Sequence, residues 1–315
     1  MTDYAFDPDF QELLPLLPDI SDLSTAESIQ EMRKSREDLF GSPADRDDAI
    51  KKDRLIAGPA GAPDVPIRIY RKKEGQAGNR PCVFEIHGGG FMLGNIDMMD
   101  AWCQQVAAEL DTVVVSVEYR LAPEDPFPAG VEDCYAALCW VAKEAAELGI
   151  DPARIAIAGQ SAGGGLAAAT ALLARDRGSP ALCFQLLEIP ELDDRLQTPS
   201  MQAFTDTPLW NLPNARWSWH HYLGPDHKGE VSPYAAPARA EDLSNLPPAY
   251  ISTMEFDPLR DEGIEYATRL LRAGVSVELH SFPGTFHGSA LLPTAEVSRR
   301  NLEEVIRVLG RRLGT

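Results

Sequence analysis

The chain has 315 residues, 48 of them acidic and 29 basic, for a formal net charge of −19. That excess of carboxylates excludes a general nucleic-acid binder, which needs a clustered basic surface to neutralise phosphates, and it disfavours anionic membranes. With 44% hydrophobic and 24% charged residues, the composition is that of a soluble globular protein with a sizeable core, and the length fits two domains or one α/β domain with insertions.

The first 50 residues hold 13 acidic and four basic side chains. They show a helical pattern over 26–40 and no strand. The start, MTDYAFDPDF, lacks the basic end and apolar run of a secretory signal, so a cytoplasmic location is expected. From about residue 54 short β-branched runs alternate with helical segments. Strands are predicted at 66–71, 82–87, 112–118, 154–158, 181–187, 249–254 and 275–282, and helices at 99–110, 131–148, 162–176, 260–273 and 293–312. This alternation predicts an α/β fold with a mostly parallel central sheet and helices on both faces. Binding sites in such a fold form in loops beyond the carboxyl ends of the strands.

Residues 155–174 carry no charge and reach the length of a membrane span. Gly159, Gln160, Ser161 and the glycines at 163–165 divide the stretch into a short strand, a tight turn and a small-residue helix, so no membrane span is expected. The five cysteines, Cys82, Cys103, Cys134, Cys139 and Cys183, form no C-x-x-C pair. They read as small core hydrophobes in a reducing cytosol rather than as a disulfide framework or zinc site. Residues 192–247 break the strand and helix rhythm with Trp210, Trp217, Trp219 and the pair His220 and His221. The expected organisation is an amino-terminal part of a cap at 1–50, a core at 51–191, a cap insertion at 192–247 and the rest of the core at 248–315.

Two glycine motifs carry chemistry. Gly159-Gln160-Ser161-Ala162-Gly163 has the form G-x-S-x-G between a strand and a helix, where small residues let the chain turn sharply and hold a serine hydroxyl at a helix start. A glycine-rich turn that binds a phosphate, or nothing, is the alternative. His87-Gly88-Gly89-Gly90-Phe91 follows a strand, and three glycines in a row imply close backbone approach or positive φ. Acyl transfer accounts for both motifs, because a tetrahedral intermediate needs backbone N–H groups from such a loop and from the residue after the nucleophile, here Ala162. A serine also needs a histidine base and an acid to orient it, in the chain order Ser, Asp or Glu, His. Asp257 and His287 each follow a predicted strand in that order. Asp261 and Glu262 fall in the first turn of a helix, where acids are expected for dipole reasons alone, and His280 lies within a strand. His220, His221 and His227 lie in the insertion without a metal-ligand spacing, so no metal is expected.

These residues resemble the bacterial esterases related to hormone-sensitive lipase, within the α/β-hydrolase superfamily. HGGGF at 87–91, EYRLAPEDPFPAG at 118–130, GQSAGG at 159–164, DPLRDEG at 257–263 and FHG at 286–288 carry the resemblance, which extends from about residue 50 to the end. It implies an α/β-hydrolase fold with a two-part cap. It also implies a serine carboxylesterase for short- to medium-chain esters, with no cofactor and a small-molecule ester as substrate. Ser161 then corresponds to the nucleophile, His287 to the general base and acid, Asp257 to its orienting acid, and Gly89, Gly90 and Ala162 to the oxyanion-hole donors. Some members form a homodimer through the last strand and helix. Gln160 departs from the acid that the family usually has before the nucleophile, which puts substrate preference or cap position in doubt.

The run from Glu118 to Glu124 reads as structural, with Arg120 and Glu124 expected to pair. Phe91, Trp210, Trp217 and Trp219 are candidates for lining an acyl or alcohol pocket, against the alternative of cap packing. Two other readings stay open: a non-catalytic binding protein on the same fold, and an amidase or lactonase with the same machinery.

Overall fold

Runs of valine and isoleucine, too apolar to face water on either side, build the centre of an eight-stranded sheet. The computed structural model describes residues 2, 4–20, 22–39, 45–75 and 78–315. Its strands are β1 (Ala49–Ile56), β2 (Val65–Lys72), β3 (Arg80–Ile86), β4 (Val113–Val117), β5 (Ile150–Gln160), β6 (Phe184–Glu188), β7 (Ala249–Phe256) and β8 (Val277–Phe286). They lie in the order β1-β2-β4-β3-β5-β6-β7-β8. The β1–β2 and β2–β4 pairs are antiparallel and all others parallel. Seven strands fall where the sequence pattern places them. The strand β1 is additional: half of its sequence AIKKDRLI is charged and half of its residues are exposed, so it offers no apolar alternation.

Along the central strands, successive side chains enter opposite cores. Phe84, Val115 and Ile157 join one cluster, while Val83, Val114 and Ala156 join the other. The helices are α1 (Ala26–Leu39), α2 (Asp100–Leu110), α3 (Ala129–Lys143), α4 (Ala145–Leu148), α5 (Ala162–Asp176), α6 (Pro199–Ala203), α7 (Leu212–Leu223), α8 (Arg260–Arg272) and α9 (Glu296–Leu313). The first core takes side chains from α3, α5 and α8, the second from α2 and α9. Helix α5 is buried from Ala162 to Ala174; its glycines and alanines let it lie close to the sheet. Among the described residues no helix is long and apolar enough to cross a membrane.

The amino-terminal segment packs on the 192–247 insertion. Ile20, Leu23 and Ile29 share an apolar cluster with Met201, Trp210, Leu212 and Ala215. The Tyr4 hydroxyl donates to Asp206 at 2.7 Å, and His221 Nε2 lies 2.9 Å from the Leu23 carbonyl oxygen. Cys82, Cys103 and Cys134 are buried, Cys139 and Cys183 partly so, and all five are free thiols.

The expected Arg120–Glu124 pair does not form. Arg120 makes a two-pronged bond to buried Asp133 at 2.8 Å, and its backbone N–H donates to the same carboxylate at 3.0 Å. Glu124 instead pairs with Arg33 of α1 at 2.9 Å, and Arg33 also donates to the Met92 and Ala122 carbonyls. Asp133 faces back from the first turns of α3, whereas Glu124 is turned toward the amino-terminal helix.

Candidate active site

Ser161 stands between the end of β5 and the start of α5 with φ 55° and ψ −123°, a left-handed conformation that an L-residue holds only when its surroundings enforce it. Gly163 makes the turn sterically feasible, since a Cβ there would lie 2.1 Å from the Ile86 carbonyl oxygen. The Ser161 N–H donates to the Glu188 carbonyl at 2.9 Å, and its own carbonyl accepts from Gly165 and Glu191 at 3.0 Å. The serine backbone is thus pinned from β6 and from the loop after it.

The structure brings Ser161, His287 and Asp257 together from three strand ends. Ser161 Oγ lies 2.9 Å from His287 Nε2, and His287 Nδ1 lies 2.8 Å from Asp257 Oδ2. Asp257 is fully buried, and its other oxygen accepts the Leu259 N–H at 2.8 Å. A carboxylate only accepts, so Nδ1 carries the imidazole proton and Nε2 is left as the acceptor facing the Ser161 hydroxyl. The competing acids are engaged elsewhere. Asp261 accepts the Ser200 N–H at 2.8 Å, and Glu262 accepts the Leu192 N–H at 2.6 Å, both tying the insertion to α8. His280 is half-exposed on β8, 3.7 Å from Glu304.

Two residues of the quoted motifs, His87 and Tyr119, shape the glycine loop. His87 is buried, its pKa pushed down to about 4 by desolvation, so the ring is neutral near pH 7. Its Nδ1 donates to the Gly88 carbonyl at 2.8 Å. Tyr119 stacks on this ring at 4.4 Å and its hydroxyl donates to the His87 carbonyl at 2.9 Å. Within the loop Gly89 has φ 126°, and a Cβ there would lie 2.0 Å from the Leu93 carbonyl oxygen. Ala162 is the first residue of α5, so its N–H belongs to the helical donors without an intrahelical acceptor.

A cavity of about 400 Å³ opens on Ser161 and His287. Gly88, Gly89, Gly90 and Gln160 line it, and Trp210 with Leu209, Ile189 and Leu291 supply much of its apolar wall. The Trp210 ring lies 5.8 Å from the His287 ring. The other aromatic candidates are packing residues, a correction to the sequence reading. Phe91 is buried face to face with Tyr222 at 3.9 Å and tilted against Trp219 at 5.4 Å, and Trp217 stacks on His221 at 5.8 Å. Aromatic content alone does not tell which ring faces a cavity.

Several carboxyls in the core are buried. Desolvation pushes Glu188 up to about 7, opposed by a bond from Gln160, and pushes Glu191 and Glu85 up to about 8.

Comparison with known proteins gives the family. Residues 83–291 match the family described as the alpha/beta hydrolase fold. The chain is 40% identical over 319 residues to carboxylesterase NlhH of Mycobacterium tuberculosis, covering 96% of this chain and 97% of that one. Among solved structures, a bacterial heroin esterase is 52% identical with a TM-score of 0.94, covering 98% of each chain. Esterase LipW of Mycobacterium marinum is 40% identical with a TM-score of 0.87, over 98% of this chain and 96% of that one. The chain belongs to the hormone-sensitive-lipase-like carboxylesterases of the α/β-hydrolase fold and is a carboxylic ester hydrolase.

Proposed function

We propose that the chain cleaves short- to medium-chain carboxylic esters through an acyl-enzyme formed on Ser161. The observation that carries this reading is the continuous relay of 2.9 Å and 2.8 Å from Ser161 Oγ through His287 to Asp257. In the acylation step Ser161 Oγ attacks the ester carbonyl carbon while His287 Nε2 takes the hydroxyl proton. The resulting oxyanion is held by the N–H groups of Gly89, Gly90 and Ala162. Collapse of the intermediate breaks the bond to the alcohol oxygen, which receives the proton from His287. Water then attacks the acyl-enzyme by the same route, releasing the acid and restoring Ser161. Asp257 holds the imidazole tautomer and stabilises the imidazolium formed in between.

The amino-terminal segment and residues 192–247 act together as a cap. Trp210 and Ile20, one from each part, both line the cavity, and the cap so limits the acyl or alcohol group that fits beside His287. A cavity of about 400 Å³ falls in the lower part of the range for small-molecule sites.

The test is a turnover profile over p-nitrophenyl esters from acetyl to palmitoyl, beside an amide control. The expected optimum lies between butanoyl and octanoyl; a sharp optimum at palmitoyl overturns the chain-length assignment. A fluorophosphonate probe is expected to label Ser161, and labelling elsewhere, or none, removes the acyl-enzyme.

A further inference from the structure

The residue before the serine nucleophile lies on the cavity floor, and what holds it is a carboxyl on the neighbouring strand. Gln160 ends β5, Glu188 ends β6, and the two are partners in the parallel register. Gln160 Nε2 donates to Glu188 Oε1 at 3.4 Å. Glu188 is 4% exposed and Gln160 9%, so neither side chain turns out to bulk water. Gln160 borders the cavity next to Ser161. Glu188 touches the site from below as well, because its main-chain oxygen accepts the Ser161 N–H at 2.9 Å.

The orientation of the Gln160 amide follows from electrostatics. An ionised Glu188 presents only acceptors. It attracts the NH₂ end of the amide and repels the carbonyl end, and this preference is strengthened by the low polarity around both groups. With Nε2 committed to Glu188, Oε1 is the end left to turn toward the cavity. Among the described residues no lysine or arginine lines this cavity, and the carboxylate in its wall is Asp97, an acceptor again.

We propose that Glu188 is a positioning residue that turns the Gln160 carbonyl oxygen into the cavity, so that the site selects esters carrying a hydrogen-bond donor, such as a hydroxyl, near the ester group. This deepens the ester-hydrolase reading above and rests on it. Glu188 touches no reacting atom; its effect passes through Gln160.

The experiment compares three ethyl esters that differ at one position: β-hydroxybutanoate, which donates, β-methoxybutanoate, which only accepts, and β-methylbutanoate, which does neither. Values of kcat/KM are measured above neutrality, where Glu188, pushed up to about 7 by burial, is ionised. The readout is the ratio between substrates within each protein, so a change in overall rate cancels. The wild type is expected to prefer the hydroxy ester over the other two by roughly three- to tenfold, the range of one hydrogen bond to a neutral group. In Gln160→Met the preference disappears. In Glu188→Gln either end of the Gln160 amide can face the cavity, and the preference falls by more than half. The reciprocal variant Gln160→Glu with Glu188→Gln keeps an acceptor facing the cavity and so retains it, which a purely structural role of Glu188 does not explain.

Equal rates on the hydroxy and methoxy esters in the wild type, or a full preference in Glu188→Gln, overturn the proposal while the hydrolase reading stands. If Glu188→Gln fails to fold, Gln160→Met decides: a preference that survives there overturns the proposal. A wild type that cleaves none of the three esters sinks the hydrolase reading itself, and this inference with it.

Discussion

A side-chain carbon placed on Gly90 would sit 2.3 Å from Cη2 of Trp210. The glycine loop and the Trp210 ring are therefore fitted to each other, and Gly90 also holds φ 59°. Gly90→Ala is expected to push the loop out of line with the oxyanion and lower kcat by roughly 10²–10³-fold, the effect of losing one such donor. Steady-state kinetics on p-nitrophenyl butanoate check this, with circular dichroism to verify the fold. A Gly90→Ala variant that keeps its activity close to that of the wild type removes Gly90 from the donor set.

Ser161→Ala is expected to lower turnover by about 10⁶-fold, and Asp257→Asn by about 10⁴-fold through loss of the required imidazole tautomer. The two losses should not add in the double variant, because the three groups act as a unit. Single-turnover measurements decide, and additive losses would mean that Asp257 works independently of the serine.

Trp210 and Trp219 are expected to differ in kind. Trp219 packs against Phe91 and Tyr222 away from the cavity. Trp219→Ala should therefore cost about 3–5 kcal/mol of stability and leave the acyl-length optimum in place. Trp210→Ala should shift that optimum toward longer chains. Denaturant midpoints and the ester series separate the two effects, and a shifted optimum in the Trp219 variant would restore that ring to the pocket wall.

Stability should peak at mildly acidic pH. Glu85, Glu188 and Glu191 are pushed up by burial to about 8, 7 and 8, so the folded chain keeps protons that the unfolded chain releases. Their contribution is full below the ordinary carboxylate range and is lost as pH rises toward 8. The slope is about 1.4 kcal/mol per pH unit for each proton retained. His87, held down to about 4, acts in the opposite sense, contributing above its ordinary value and losing that contribution as pH falls toward 4. The raised carboxyls, which also include Glu118 at about 7, outnumber the lowered histidines His87 and His221, so Tm should be higher near pH 5 than near pH 8. Calorimetry at high salt, which screens the surface charge, tests the buried contribution; a Tm that rises toward pH 8 contradicts it.

The parts of this molecule that obey a local rule were legible in its sequence. The β-branched runs and the order Ser161, Asp257, His287 each announce themselves over a few residues, because strand pattern and loop position decide them. Relationships between distant segments were not. Arg120 has several acids within reach in sequence, and only the packing of α3 against its loop shows that Asp133 takes the two-pronged bond. The Gln160–Glu188 contact depends on strand register, which neither strand reveals alone. Phe91 and Trp210 have similar composition signals, and only the packing around each distinguishes a buried ring from a cavity wall.

The strand that sequence pattern overlooked forms one border of the sheet. Lys51, Lys52, Asp53 and Arg54 follow one another along β1, with Lys52 and Asp53 exposed. A stray chain seeking to extend the sheet at that border would have to strip hydration from both signs of charge, at a cost that its new backbone bonds would not recover. The substitutions to watch in a crowded solution are thus Lys52→Val and Asp53→Val together, which would strengthen the strand signal and invite fibrous self-association.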